Sequence, residues 1–165
     1  MLLSSNVGSN TIVRALRSKE TAVLKMLIPV DGSESAVRAT EELIKTLDWY
    51  KERPAIDLLA VHLPVHQFPN MALLISKEML EHYYAEESDD MLAASRKALD
   101  AAGVKYTVHK LVGPIAECII DQAKESGSNM IYMGTRGMTA LANMFLGSVA
   151  TRVLHLAHIP VVLIH

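Results

Sequence analysis

Five short apolar runs recur along this chain, and the stretches between them are long enough for helices. Residues 24–30, 56–62, 104–109, 129–133 and 160–164 read as strands, bounded by Gly, Pro, Asp or Asn. The first, second, fourth and fifth are nearly continuous in Val, Ile, Leu and Met, which suits strands covered on both faces. The third alternates, as an outer strand does. Between them, Ser33 is a good N-cap, and Ala36, Val37, Thr40, Leu43, Ile44 and Leu47 follow at helical spacing. Arg53-Pro54 breaks that helix. Residues 71–102 are mostly helical in pattern, as one helix or as a short one and then a long one from Ser76, and Gly103 ends them. Gly113-Pro114 opens the next helix and Gly127 closes it; residues 147–157 form the last. Five strands alternating with four helical segments imply an α/β fold, a doubly wound parallel sheet with helices on both faces. At 165 residues the chain has the length of a single domain, able to bury about 70% of its unfolded surface without a staple.

The most particular local pattern lies after the fourth strand. Gly134, two residues, Gly137, nine residues, then Gly147-Ser148 leads from a strand through a glycine loop to a helix start. Such a loop lets an anion approach backbone N–H groups closely, and glycine there can also take φ > 0. The helix start adds unpaired N–H donors and the positive end of its dipole. Ser148 supplies a hydroxyl, although turn glycines and an ordinary N-cap serine would leave the same letters. No Gly-Lys-Ser/Thr follows, so this is not a Walker A loop, and the spacing is not the compact dinucleotide GxGxxG. At the end of the first strand, Asp31-Gly32-Ser33 is either a second functional turn or a helix cap. In open parallel sheets, ligands sit at the carboxyl ends of strands where the strand order reverses. Asp31 and the glycine loop would face one crevice if the first and fourth strands are neighbours.

Composition removes several other chemistries. The net charge of −2 disfavours a nucleic-acid partner, and no apolar run is long enough to span a membrane. Cys118 is the single cysteine, so no intramolecular disulfide forms; it reads as a buried, inert thiol. Among the seven histidines, His62 and His66 straddle Pro64, and His155 and His158 share the last helix without the acid or cysteine partners of a zinc site. No Gly-x-Ser-x-Gly elbow is present. Glu86, Glu87, Asp89 and Asp90 read as a solvated helix face. Residues 1–24 carry Arg14, Arg17 and Lys19 and no acid before Glu20. They suit an N-terminal extension with a short helix over residues 10–19; the composition also suits an organelle transit peptide, without the apolar core of a secretory signal.

Residues 25–165 resemble the universal stress proteins, in particular their ATP-binding subgroup. The resemblance rests on Ile28-Pro29-Val30-Asp31-Gly32-Ser33, on Val61-His62 at the end of the second strand, on residues 113–119, and most specifically on the glycine loop with its Pro160-Val161-Val162 tail. It implies a Rossmann-like five-stranded sheet in the order 3-2-1-4-5, which makes the first and fourth strands neighbours. It also implies roles. Asp31 would contact the ribose or a nucleotide-bound Mg²⁺, and Val61 would present backbone groups to the adenine edge. Pro29 and Met133 would line the base pocket, and Val30 would be a further nucleotide-binding residue. Gly134, Arg136, Gly137, Gly147, Ser148 and Val149 would surround ribose and phosphates, mostly through backbone N–H groups. No basic residue lies between Gly137 and Gly147, where Met138 and Asn143 stand, so Arg136 is the loop's own cation. Triphosphate charge would then rest on backbone donors and Mg²⁺, with ADP and AMP as alternatives to ATP. The resemblance further implies a homodimer through the last strand, Val161–Ile164.

The expected protein is a cytoplasmic, dimeric binder of adenine nucleotide that signals through nucleotide occupancy to unidentified protein partners. No positioned general base is evident, so no catalytic residue is assigned. Two alternatives stand beside it: a slow Mg-dependent nucleotide hydrolase or phosphotransferase with Asp31 on the metal, and a nucleotide-free protein-interaction module.

Overall fold

The computed structural model describes residues 23–64, 76–137 and 146–165. Its elements are β1 (Lys25–Val30), α1 (Glu34–Thr46) with a short 3-10 turn (Leu47–Trp49), β2 (Ala55–His62), α2 (Lys77–Ala101), β3 (Tyr106–Val112), α3 (Ile115–Glu125), β4 (Met130–Gly134), α4 (Ser148–Leu156) and β5 (Val161–Ile164). The five strands form one sheet in the order β3-β2-β1-β4-β5, and every pairing is parallel. The expected order is therefore the observed one. β1 pairs with β2 from Lys25↔Ala55 to Val30↔Ala60 and with β4 through Met26↔Met130 and Leu27↔Ile131.

Successive side chains of a strand leave the sheet on opposite faces, and both faces here are apolar. Met26, Ile28 and Val30 join Leu58, Ala60 and Tyr132 beneath α1 and α2, which contribute Ala39, Leu43, Leu92 and Leu99. Leu27 joins Leu59, Val61, Ile131 and Met133 beneath α3 and α4, which contribute Ala116, Ile119, Ala150 and Val153. The sheet is thus covered twice, which explains the near-continuous apolar runs of β1, β2 and β4. Two polar features sit inside this core. Thr40 Oγ1 bonds Ser95 Oγ at 3.0 Å, tying α1 to α2. Asp57 is 1% exposed, and its Oδ2 lies 3.0 Å from Lys25 Nζ, an ion pair, and 3.4 Å from His109 Nε2, in neither case with hydrogen-bond alignment.

Several expectations need correcting. β3 begins at Tyr106 rather than 104, because Val104 donates its N–H back to Leu99 at 3.0 Å and closes the helix end. The strand then runs to Val112, following β2 to His62. Cys118 is only half-buried, on the flank of α3. His158 lies beyond the end of α4, so it shares no helix face with His155. Asp89 is not merely solvated: it pairs with Arg96 and with Lys110 of β3. The helix expected over residues 10–19, the segment from 71 to 75, and Met138 and Asn143 lie outside the described residues.

Candidate functional site

Beyond the carboxyl edge of the sheet, the helix that follows β1 covers one face and the helix that follows β4 covers the other. Asp31 Oδ1 accepts the Ser33 N–H at 3.1 Å, and Ser33 Oγ accepts the Ala36 N–H at 3.2 Å, so this turn caps α1. Gly32, at φ +80°, makes the turn possible. The cap and the site are therefore built from the same three residues, and capping excludes no further role for the second oxygen of Asp31.

Across the switch point, Gly134 ends β4 against the start of α1. A Cβ there would lie 2.7 Å from the backbone C and O of Ser35. A Cβ on Gly137 would lie 2.6 Å from Asp31 Oδ2. Neither glycine has a positive φ, nor does Gly147. The loop's glycines serve close approach, not left-handed backbone, which corrects one of the two reasons expected for them. Gly147 differs again. It is the N-cap of α4, with Ser148 as the first helical residue, and its N–H donates to the Thr135 carbonyl at 2.7 Å. Gly147 thus closes the loop onto the end of β4, and its N–H is not a donor for a ligand.

These elements enclose a cavity of about 740 Å³. β1 and its turn supply Pro29, Val30 and Asp31; β2 supplies Leu59 and Val61; β4 and the loop supply Met133, Gly134, Arg136 and Gly137; the start of α4 supplies Gly147, Ser148 and Val149. All the residues singled out from the sequence line this one space. Leu59, Val61, Ile119 and Met133, which share one apolar cluster, give the lining its apolar side chains, and Asp31 and Ser148 add polar ones. The Ser148, Val149 and Ala150 N–H groups belong to the first turn of α4 and have no partner within the helix. Its first turn has no acid, and among the described residues no side chain caps it. That end of the cavity favours an anion.

Two charged residues to which the sequence reading assigns no role at the site complete the wall. Arg152 of α4 donates through Nε (3.1 Å) and Nη2 (2.7 Å) to Glu117 Oε1 of α3. The pair holds the Glu117 carboxyl below its usual range, helped by the residue's own backbone N–H. Helical periodicity could have found Arg152, which stands four residues after Ser148 on the same face. Nothing local could have found Glu117, whose place depends on α3 packing beside α4. Arg136, the expected loop cation, lines the cavity, but its Nη2 lies 3.4 Å from His165 Nε2. Among the described residues no group of three or more His, Cys, Asp or Glu could hold a metal on its own. No described helix is long and apolar enough to cross a membrane.

A doubly wound parallel sheet with a ligand-sized crevice at its switch point defines a class of α/β binding fold. Within that class the chain belongs to the universal stress protein family, whose model matches residues 23–165. It is 32% identical over 150 residues to the universal stress protein MJ0531 of Methanocaldococcus jannaschii, covering 90% of this chain and 86% of that one. Among solved structures, protein MJ0577 of the same organism superposes with a TM-score of 0.71 at 26% identity, over 85% of this chain and 94% of that one. A universal stress protein from Archaeoglobus fulgidus, solved in complex with dAMP, gives a TM-score of 0.56 at 20% identity, over 87% and 98%.

Proposed function

We propose that this universal stress protein binds ATP, or ADP or AMP, in the switch-point cavity and acts through occupancy. The observation that carries the reading is convergence. Residues assigned from the glycine spacing and from the family resemblance line one cavity, which offers apolar side chains to a base and a helix start to phosphate. The dAMP complex of a structural relative supports the ligand class. In this reading Pro29, Val30, Val61 and Met133 take the adenine side. Asp31 takes the ribose or, together with the phosphates, a Mg²⁺ ion. Gly137, Ser148 and Val149 take the phosphates, and Gly134 and Gly147 hold the loop's shape. Mg²⁺ is commonly held by one or two carboxylates plus substrate phosphates, which suits a wall with Asp31 on one side and, among the described residues, no complete metal cage. Bound there, it would neutralise phosphate charge.

Residues 25–165 would be the binding domain and residues 1–24 an extension, in a cytoplasmic protein of the stress response. A homodimer would form through β5, a half-buried apolar strand paired on one side to β4 among the described residues. A monomeric mass in solution at micromolar concentration overturns that assembly. The site itself is tested by denaturing purified protein, identifying any released nucleotide by chromatography and mass, and titrating ATP with Mg²⁺ by calorimetry. Bound adenine nucleotide is the expected result. No released nucleotide and no heat would leave the glycine loop a purely structural role. Turnover faster than about 1 s⁻¹ would move the protein to the enzymes.

A further inference from the structure

The Arg152–Glu117 pair is placed where a polyphosphate would meet it. Arg152 stands one helical turn after Ser148, about 6 Å along the axis. Side chains of a helix lean toward its N-terminus, so the guanidinium leans toward the first turn of α4, whose Ser148, Val149 and Ala150 line the cavity with it. Its present partner is a carboxylate on the same wall, bound through one oxygen only. Both side chains are substantially exposed, at 60% for Arg152 and 41% for Glu117, so the pair is weakly held and free to rearrange. Glu117 does not depend on Arg152 alone. It sits in the first turn of α3, where an acid is favoured, and its carboxylate is also stabilised by its own backbone N–H.

Resting on the nucleotide reading of this cavity, we infer that Arg152 is a phosphate-counting residue, which exchanges Glu117 for the distal phosphates of a di- or triphosphate and stays on Glu117 with a monophosphate. Glu117 then opposes polyphosphate twice, by occupying Arg152 and by repelling the incoming charge. When Arg152 leaves, the polar tie between α3 and α4 is cut. Nucleotide identity thereby changes how those two helices are coupled.

The test is calorimetric titration of the full chain with AMP, ADP and ATP, each with Mg²⁺, in wild type, Arg152→Gln and Glu117→Gln. A charge-assisted hydrogen bond to phosphate, offset by the weak surface pair it replaces, amounts to a net effect of about tenfold. Arg152→Gln is expected to weaken ATP by about that factor and AMP by less than about twofold. Glu117→Gln is expected to tighten ATP and leave AMP unchanged. Arg152→Lys, which keeps the charge without the fork, falls between wild type and Arg152→Gln and guards against a packing artefact. Equal weakening of AMP and ATP in Arg152→Gln, no change in either, or weaker ATP binding in Glu117→Gln overturns the inference while the nucleotide site stands. If wild type binds none of the three nucleotides, the nucleotide reading falls and this role falls with it.

Discussion

Gly134→Ala separates a structural requirement at the switch point from a binding one. The new Cβ would lie 2.7 Å from the backbone C and O of Ser35, where ordinary contact begins at 3.4 Å. Backbone must therefore move by several tenths of an ångström, and the segment that must move is tied down. Ser33 caps α1 through Ala36, Asp31 holds the Ser33 N–H, and Ala36 and Ala39 are buried against the sheet. Overpacking of this kind costs typically about 1–3 kcal/mol, and a backbone clash belongs at the upper end. At about 2–4 °C per kcal/mol for a chain of this size, about 3 kcal/mol lowers Tm by about 6–12 °C. Thermal unfolding followed by circular dichroism reads this directly. Gly137→Ala is the control in the same loop. Its Cβ would come closest to the Asp31 carboxylate oxygen, at 2.6 Å, which a side-chain rotation relieves. The expected loss includes the Ser33 hydrogen bond, about 1 kcal/mol or about 2–4 °C, and stays below that of the backbone clash. Nucleotide affinity should nonetheless fall, because Asp31 is displaced. Equal Tm values for the two variants, or a Gly134→Ala protein as stable as wild type, would refute the close-approach account of this loop.

Other consequences are measurable. Lys25→Met removes the ammonium beside the buried carboxylate of Asp57 and should cost about 3 kcal/mol in urea unfolding. The double variant Lys25→Met/Asp57→Leu should recover most of that, and a double variant worse than the single would contradict this. Thr40→Val removes the buried partner of Ser95 and should cost about 1–3 kcal/mol, read from the urea midpoint at unchanged slope. His62 is buried against Tyr84, and desolvation pushes its pKa below the ordinary 6.5, with Glu87 opposing the shift. The unfolded chain therefore takes up the proton first, so the stability contributed by neutral His62 is complete above pH 6.5 and lost as pH falls below it. His62→Phe should shrink the loss of stability between neutral and mildly acidic pH, and an unchanged pH profile would assign that loss to other groups.

The strand and helix pattern is legible along the chain because burial on both faces writes itself locally, as apolar runs in β1, β2 and β4 and as apolar stripes in α1 and α3. The glycine loop and the cap at Ser33 are legible for a different reason: close approach and helix starts demand particular residue types at fixed spacings, whereas Pro29, Val61 and Met133 follow only from the resemblance to the family. Strand periodicity fails at β3, where the apolar Val104 serves the end of α2 and the strand follows its partner to Val112. It also gives no reason to place Arg136 beside His165 or Glu117 beside Arg152, since each pairing joins residues far apart in the chain.

Residue order alone was enough for the elements, the cap at Ser33, the three loop glycines and the membership in a doubly wound class. Which glycine answers which neighbour emerged from packing: Gly134 the backbone of Ser35, Gly137 the carboxylate of Asp31, Gly147 the carbonyl of Thr135. The difference is one of range. Dihedral preference and hydrophobic period act within a few residues, whereas a clash at 2.7 Å or a shared guanidinium exists only once β1 and β4 lie side by side and α3 packs on α4.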